Sequence, residues 1–256
     1  MPRRIVDISV ALKAGIASDP PYMLPSITYS DHKAGAESFH QVFGVPKDQL
    51  PDGAGPAVEN VAISTHNGTH LDAPYHFHPT MNKGERAITI DEVPLEWCFQ
   101  PGVKLDFRAM EDGHVITATE VEAELKRIGH ELKPLEIVVA NTRAGSRYGT
   151  DNYVNSGCGM GYDATMFLLE KGVRLTGTDA WSWDAPFYFT AQKWEKDHDP
   201  SIIWEGHKAG REIPYCHMEK LCNLEQLPPL GFTVACFPHK VKGGSGGWTR
   251  AVALFD

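Results

Sequence analysis

The chain has 256 residues, 42% of them hydrophobic and 22% charged, a balance that predicts a globular core and excludes a disordered or fibrous protein. Its 33 acidic against 24 basic residues leave a formal charge of −9, which argues against nucleic acid or an anionic membrane as the main partner. No apolar run reaches the ~18–20 residues of a membrane span, and Met-Pro-Arg-Arg at the start leads into a strand-like segment instead of a signal-peptide core.

Residues 5–10 read as an N-terminal strand. Residues 11–55 are rich in Pro, Gly, Ser and Asp without sustained periodicity, which predicts a long irregular arm serving a site or reaching a neighbouring subunit. Val61, Ile63 and Thr65 alternate with smaller residues, so residues 58–65 predict a strand running into His66. Thr117 three residues before Glu120 is a capping-box pattern; Val121, Leu125 and Ile128 mark one helical face, and Gly129 ends it. Residues 135–140 form a compact apolar strand. Residues 162–171 carry Ala164, Phe167 and Leu168 on one helical face, with Gly172 as a stop and a strand over 173–178. That strand–helix–strand order predicts an α/β unit. Two closing strands, 232–237 and 250–255, flank a Gly-rich loop. The sum is a single mixed α/β domain over residues 1–256 with an arm at about 11–55.

The chemistry concentrates after the second strand. Residues 66–78 hold four histidines and one aspartate, and imidazole nitrogen with carboxylate oxygen suits zinc, manganese or ferrous iron. On an extended backbone His70 and Asp72 share a face. Gly68 lets the chain turn so that His66 converges with them, and Pro74 stiffens the exit. His76 falls just outside that set, where a titratable group can exchange protons. No HExxH is present, so a helical zincin site is not predicted.

The string from His66 to His76 resembles the HxGTHxDxPxH signature of the cyclase-like metal-dependent hydrolases, which include bacterial kynurenine formamidase and isatin hydrolase. The resemblance extends to Asp7-Ile8-Ser9, to Gly177-Thr178-Asp179 with Asp184, to His207 and Glu219, and to the closing Gly-rich loop into Arg250. It implies a swivelling β/β/α fold and a homo-oligomer, dimer or tetramer. His66, His70 and Asp72 are the implied metal ligands, and His76 the general acid/base. A second ion, bridged by the aspartate, is implied at His207 and Glu219, twelve residues apart, with His217 as a competitor two residues before Glu219. Kynurenine formamidases of the family carry a Trp soon after the Asp-Ile-Ser segment. This chain has Pro20-Pro21-Tyr22-Met23 there and no Trp before Trp97, which weakens kynurenine as the substrate.

The resulting expectation is an enzyme that hydrolyses a carbon–nitrogen bond of a small amide, cyclic or aryl-formamide, with one or two divalent ions, zinc or manganese. A lactone or ester hydrolase would share every residue named, and a non-catalytic metal-containing binding protein is the more distant rival. Trp181, Trp183, Phe187, Tyr188, Phe189 and Trp194 follow Asp179. They offer either a pocket for a flat ring, with Trp181 and Trp183 as substrate contacts, or packing in a core or interface. Residues 243–247 are Gly-rich beside Lys240, Lys242 and Arg250 but lack a GK[ST], so they predict a turn, not a phosphate loop. Cys98, Cys158, Cys216, Cys222 and Cys236 show no CxxC spacing. They predict reduced thiols and a cytoplasmic protein.

Overall fold

An apolar run without polar interruption marks a strand covered on both faces. In the computed structural model, which describes residues 4–255, such a run forms the middle strand of a nine-stranded sheet. The chain enters through β1 (Arg4–Asp7) and then leaves the sheet for a separate ribbon of β2 (Ser26–Ser30) and β3 (Val58–Ala62), with helix α1 (His32–Phe43) between them in sequence. It returns as β4 (His70–Asp72), followed by the one-turn helix α2 (Pro74–Phe77) and the small hairpin of β5 (Thr80–Met81) and β6 (Glu85–Arg86).

The parallel heart begins with β7 (Phe99–Asp106), β9 (Ile137–Asn141) and β11 (Leu175–Thr178), joined through helices α3 (Ala118–Ile128) and α4 (Tyr162–Glu170), and a later strand, Cys216–Glu219, pairs parallel with β11. A short pair, β8 (Val115–Ile116) and β10 (Gly159–Met160), lies beside those crossovers. After α5 (Phe187–Asp197) and the single turn α6 (Glu205–Lys208), the chain adds β12 (Cys216–Glu219), β13 (Phe232–Ala235), β14 (Gly246–Trp248) and β15 (Val252–Phe255). The sheet order is β1-β15-β13-β7-β9-β11-β12-β4-β14.

Alternation along the strands divides the core. Ile137 and Val139 pack with Leu71, Cys216 and Met218 on one side, whereas Val138 and Ala140 meet Val121, Leu125, Ala164 and Leu168 under α3 and α4. The predicted capping box is formed: Thr117 accepts from the Glu120 amide, Glu120 accepts from the Thr117 amide at 2.8 Å, and Gly129 closes α3 at φ 68°. Gly172 turns the chain out of α4 at φ 90°.

Four expectations need correction. The 11–55 arm is not irregular throughout, since it holds β2 and α1. The Asp31 carboxylate caps α1 by accepting from the Ala34 amide at 2.9 Å, and Gly44 ends the helix at φ 67°. The strand predicted over 58–65 stops at Ala62, and all five of its residues are exposed. The Gly-rich segment is more than a turn, because residues 246–248 pair with β4. The first strand ends at Asp7 instead of residue 10. Met1, Pro2 and Arg3, part of the N-terminal reading, lie outside the described residues. Among the described residues no helix is long and apolar enough to cross a membrane.

Candidate metal centre

The centre is built by strand register. β4 pairs antiparallel with β12 so that His217 faces Asp72 and Glu219 faces His70. Because side chains alternate, Leu71 and Met218 turn into the apolar core while His70, Asp72, His217 and Glu219 share the opposite face. A two-residue period in each strand therefore places four N/O donors together.

Asp72 stands at the middle. Its Oδ1 accepts a hydrogen bond from His66 Nδ1 at 2.7 Å and lies 3.2 Å from His70 Nε2. Its Oδ2 lies 3.0 Å from His217 Nε2 and 3.7 Å from His76 Nε2. Glu219 completes the deeper side, with Oε1 3.3 Å from His217 Nε2 and 3.8 Å from His207 Nε2, and Oε2 3.6 Å from His70 Nε2. The donor atoms of Asp72, His207, His217 and Glu219 all lie within 4.8 Å of one another, as do those of His66, Asp72 and His76.

Each imidazole is aimed by its other nitrogen. His70 Nδ1 donates to the Gly68 carbonyl at 2.9 Å, which leaves Nε2 as the lone-pair atom facing Asp72. His207 Nδ1 donates to Asp184, whose carboxylate also accepts from the Gly206 amide at 2.9 Å and so holds α6 in place. His66 rides on a turn that Gly68 permits at φ 62°; its Nε2 meets Ser245 Oγ at 2.9 Å. A Cβ on Gly246 would stand 2.8 Å from the His66 ring, so the approach of β14 to that ring requires glycine.

A buried ion pair supports the turn. Lys220 Nζ pairs with Asp19 and donates to the His66 carbonyl at 2.6 Å. Asp19 also accepts from Trp181 Nε1 at 3.1 Å, which ties the arm to the centre.

His70 Nε2, His217 Nε2 and Asp72 Oδ2 are buried without a hydrogen-bond partner. Orphaned polar atoms cost free energy unless something else binds them, and this donor set of imidazole and carboxylate fits a divalent cation. Burial alone would push the Asp72 and Glu219 carboxyls up, but the imidazoles around them hold both below the usual carboxylate range, Glu219 at about 2. Burial also opposes a charged His217, yet the two carboxylates raise it to about 9. At His76 burial prevails over the attraction of Asp72 and lowers it to about 4, so its imidazole is neutral at pH 7.

The structure thus brings together His66, His70, Asp72, His76, His207 and Glu219. Trp181 and Trp183 are placed differently from the pocket-lining expectation. Trp183 is 1% exposed, donates to Thr165 Oγ1 and stacks 5.9 Å from the His217 ring, behind the cluster. Trp181 bonds Asp19 and sits near Lys220. The residue that sequence reading missed is Trp204, stacked 4.5 Å from His207 and edge-on 5.2 Å from His76. It lines a cavity of about 450 Å³ with Phe187, Thr190, Ala191, Trp194 and Ile203; its position three residues before His207 was the available signal. Asp179 ties the loop after β9 by accepting from the Thr142 amide and hydroxyl, and burial pushes its carboxyl up to about 7. Cys158 is buried with its thiol pushed up to about 12, which does not suit a nucleophile. All five cysteines are free.

No curated protein matches the chain. Among solved structures, isatin hydrolase A from Ralstonia solanacearum is 22% identical with a TM-score of 0.76, over 99% of this chain and 92% of its own. Isatin hydrolase A from Labrenzia aggregata, solved with benzyl benzoate, is 23% identical with a TM-score of 0.74, over 99% and 94%. A structure described as a potential metal-dependent hydrolase with cyclase activity is 16% identical with a TM-score of 0.68, over 99% and 98%. At these identities the likeness establishes the mixed α/β fold. The Cyclase family model, described as Putative cyclase, matches residues 6–185, and the chain belongs to that family.

Proposed function

We propose that the chain is a metal-dependent hydrolase that cleaves a carbon–nitrogen bond of a small amide, cyclic or aryl-formamide, with zinc or manganese. One observation carries this reading: a single carboxylate, Asp72, turns its two oxygens toward two groups of imidazoles, with orphaned donor atoms between them. His66, His70 and Asp72 would hold one ion; His207 and Glu219, sharing Asp72, would hold a second. A divalent ion supplies Lewis acidity there, polarising a carbonyl and acidifying water from a pKa of ~15.7 to about 7.

The chain's own residues supply the proton handling. Neutral His76, with Nε2 beside Asp72 Oδ2 and its ring partly open to solvent, is placed to accept a proton at Nε2 and return it to the leaving nitrogen. Trp204 stands against the same imidazole and opens into the apolar cavity, which suits a flat ring on the substrate. The isatin hydrolases and the metal-dependent hydrolase named above support the choice of amide and of metal. Free thiols support a reducing cytoplasm. The apolar side chains that the arm exposes, among them Tyr22, Val42 and Phe43, support a homo-oligomer.

Protein loaded with zinc or manganese should hydrolyse an aryl formamide or a cyclic amide, and a chelator should abolish the activity. Activity confined to matched esters or lactones would replace this reading with the ester one. A protein that takes up no metal would end it.

A further inference from the structure

Resting on the metal-dependent reading, we infer that the inner ion position takes His217 as a fourth protein ligand, so that it is coordinatively closed while the outer position stays open to substrate. The inner position is the one formed by Asp72, His207, His217 and Glu219; all four residues are buried.

Three observations lead to this. First, register leaves His217 nowhere else to point: it is directly opposite Asp72 across β12 and β4, on the same face as Glu219. Second, its Nε2 is buried and approaches two carboxylate oxygens at 3.0 and 3.3 Å, yet makes a hydrogen bond to neither. A histidine kept only to pair with those carboxylates would direct its N–H at one of them. Third, the spacings match an ion's edges. Zinc–ligand distances of about 2.0–2.1 Å in a tetrahedron imply donor–donor separations of about 3.3 Å, and the observed ones are 3.0, 3.3 and 3.8 Å.

The imidazole is also held for this task. Its ring lies between Phe77, stacked at 4.9 Å, and Trp183, stacked at 5.9 Å, so the Nε2 direction is set by packing. Trp183 thereby gains a reason to be buried in the site without touching substrate. The outer side differs in kind, because His66 and His76 keep partial solvent access. Four protein ligands are the mark of a structural position, and three with an open place the mark of a catalytic one.

The test is stepwise removal of metal from the whole protein, read by elemental analysis under rising chelator. Wild type loaded with zinc should lose its ions in two steps, one per chain each. His217→Phe, which keeps the aromatic stack and removes the nitrogen, should weaken the late step by more than the about 10–100-fold that follows loss of an outer partner. His217→Cys loaded with cobalt(II) should show a thiolate-to-cobalt charge-transfer band, a signature independent of activity and of the Phe variant's folding. Ions leaving wild type together, an unchanged late step in His217→Phe, or no charge-transfer band in cobalt-loaded His217→Cys would each overturn the inference while leaving the hydrolase reading in place. A wild type that binds no ion would overturn both.

Discussion

The two sides of Asp72 are made of different material. On the inner side, His217 and Glu219 are consecutive same-face positions of one sheet strand, and His207 is locked by Asp184 on α6; all are buried. On the outer side, His66 sits on a glycine-permitted turn and His76 on one turn of helix, and both keep partial solvent access. The difference separates two duties. On the proposed reading the inner groups only hold an ion in a rigid, water-poor setting, whereas the outer side, where buried His70 and partly open His66 would hold the other ion, also needs His76 to reach solvent and substrate.

The largest expected effect falls on the outer side. His76→Ala should lower kcat by about 10²–10⁴-fold with metal content unchanged, as steady-state kinetics and elemental analysis together would show. A parallel loss of metal would move His76 among the ligands and dissolve the contrast. Next is the tether of the His66 turn. Asp19→Ala strands Lys220, which is 1% exposed, and removing one partner of a buried ion pair costs about 3–5 kcal/mol. Urea unfolding would register this, and a change below about 1 kcal/mol would mean that water reaches Lys220.

A smaller effect belongs to the inner side. Asp184→Ala removes the acceptor that aims His207 and should weaken inner-side metal binding about 10–100-fold, measured by competition with a chelator of known affinity. Outer-side affinity should hardly move. The smallest effect lies outside both. Arg250 pairs with exposed Asp7 and, through that hydrogen bond, holds its carboxyl below the ordinary value. A lowered carboxyl stabilises above its unfolded value and loses that contribution as pH falls through the folded one. Arg250→Ala should therefore lower stability only slightly near pH 7 and not measurably in strong acid, as urea unfolding at the two pH values would show, with both metal positions intact.

Much of this was readable from residue patterns. Thr117, Glu120 and Gly129 announce α3 because capping is local chemistry, and 66–76 announces a cluster of N/O donors because so many imidazoles stand beside Gly68, Asp72 and Pro74. The arm was harder. Asp31 and Gly44 are proper helix ends, but α1 buries only Gly35 and Ala36, so no apolar stripe marked the turns between them. β14 was invisible for another reason: Gly-Gly-Trp has no strand preference of its own and is extended because β4 offers it an edge. His217 was legible in principle, since His-Met-Glu is a two-residue alternation. Its role depends on which strand lies opposite, and single-sequence reading does not supply that pairing.

The position of β4 also sets a timetable. Its residues are synthesised by position 72, yet its two sheet neighbours end at Glu219 and Trp248. At about 5–20 residues per second of translation, His66, His70 and Asp72 wait on the order of ten seconds or more before the strands that complete their surroundings exist. During that interval the emerging chain carries an open cluster of metal-seeking side chains. On the proposed metal reading, the ion is therefore selected late, after residue 248 has been made, by whichever cation is present when β14 closes the sheet beside β4.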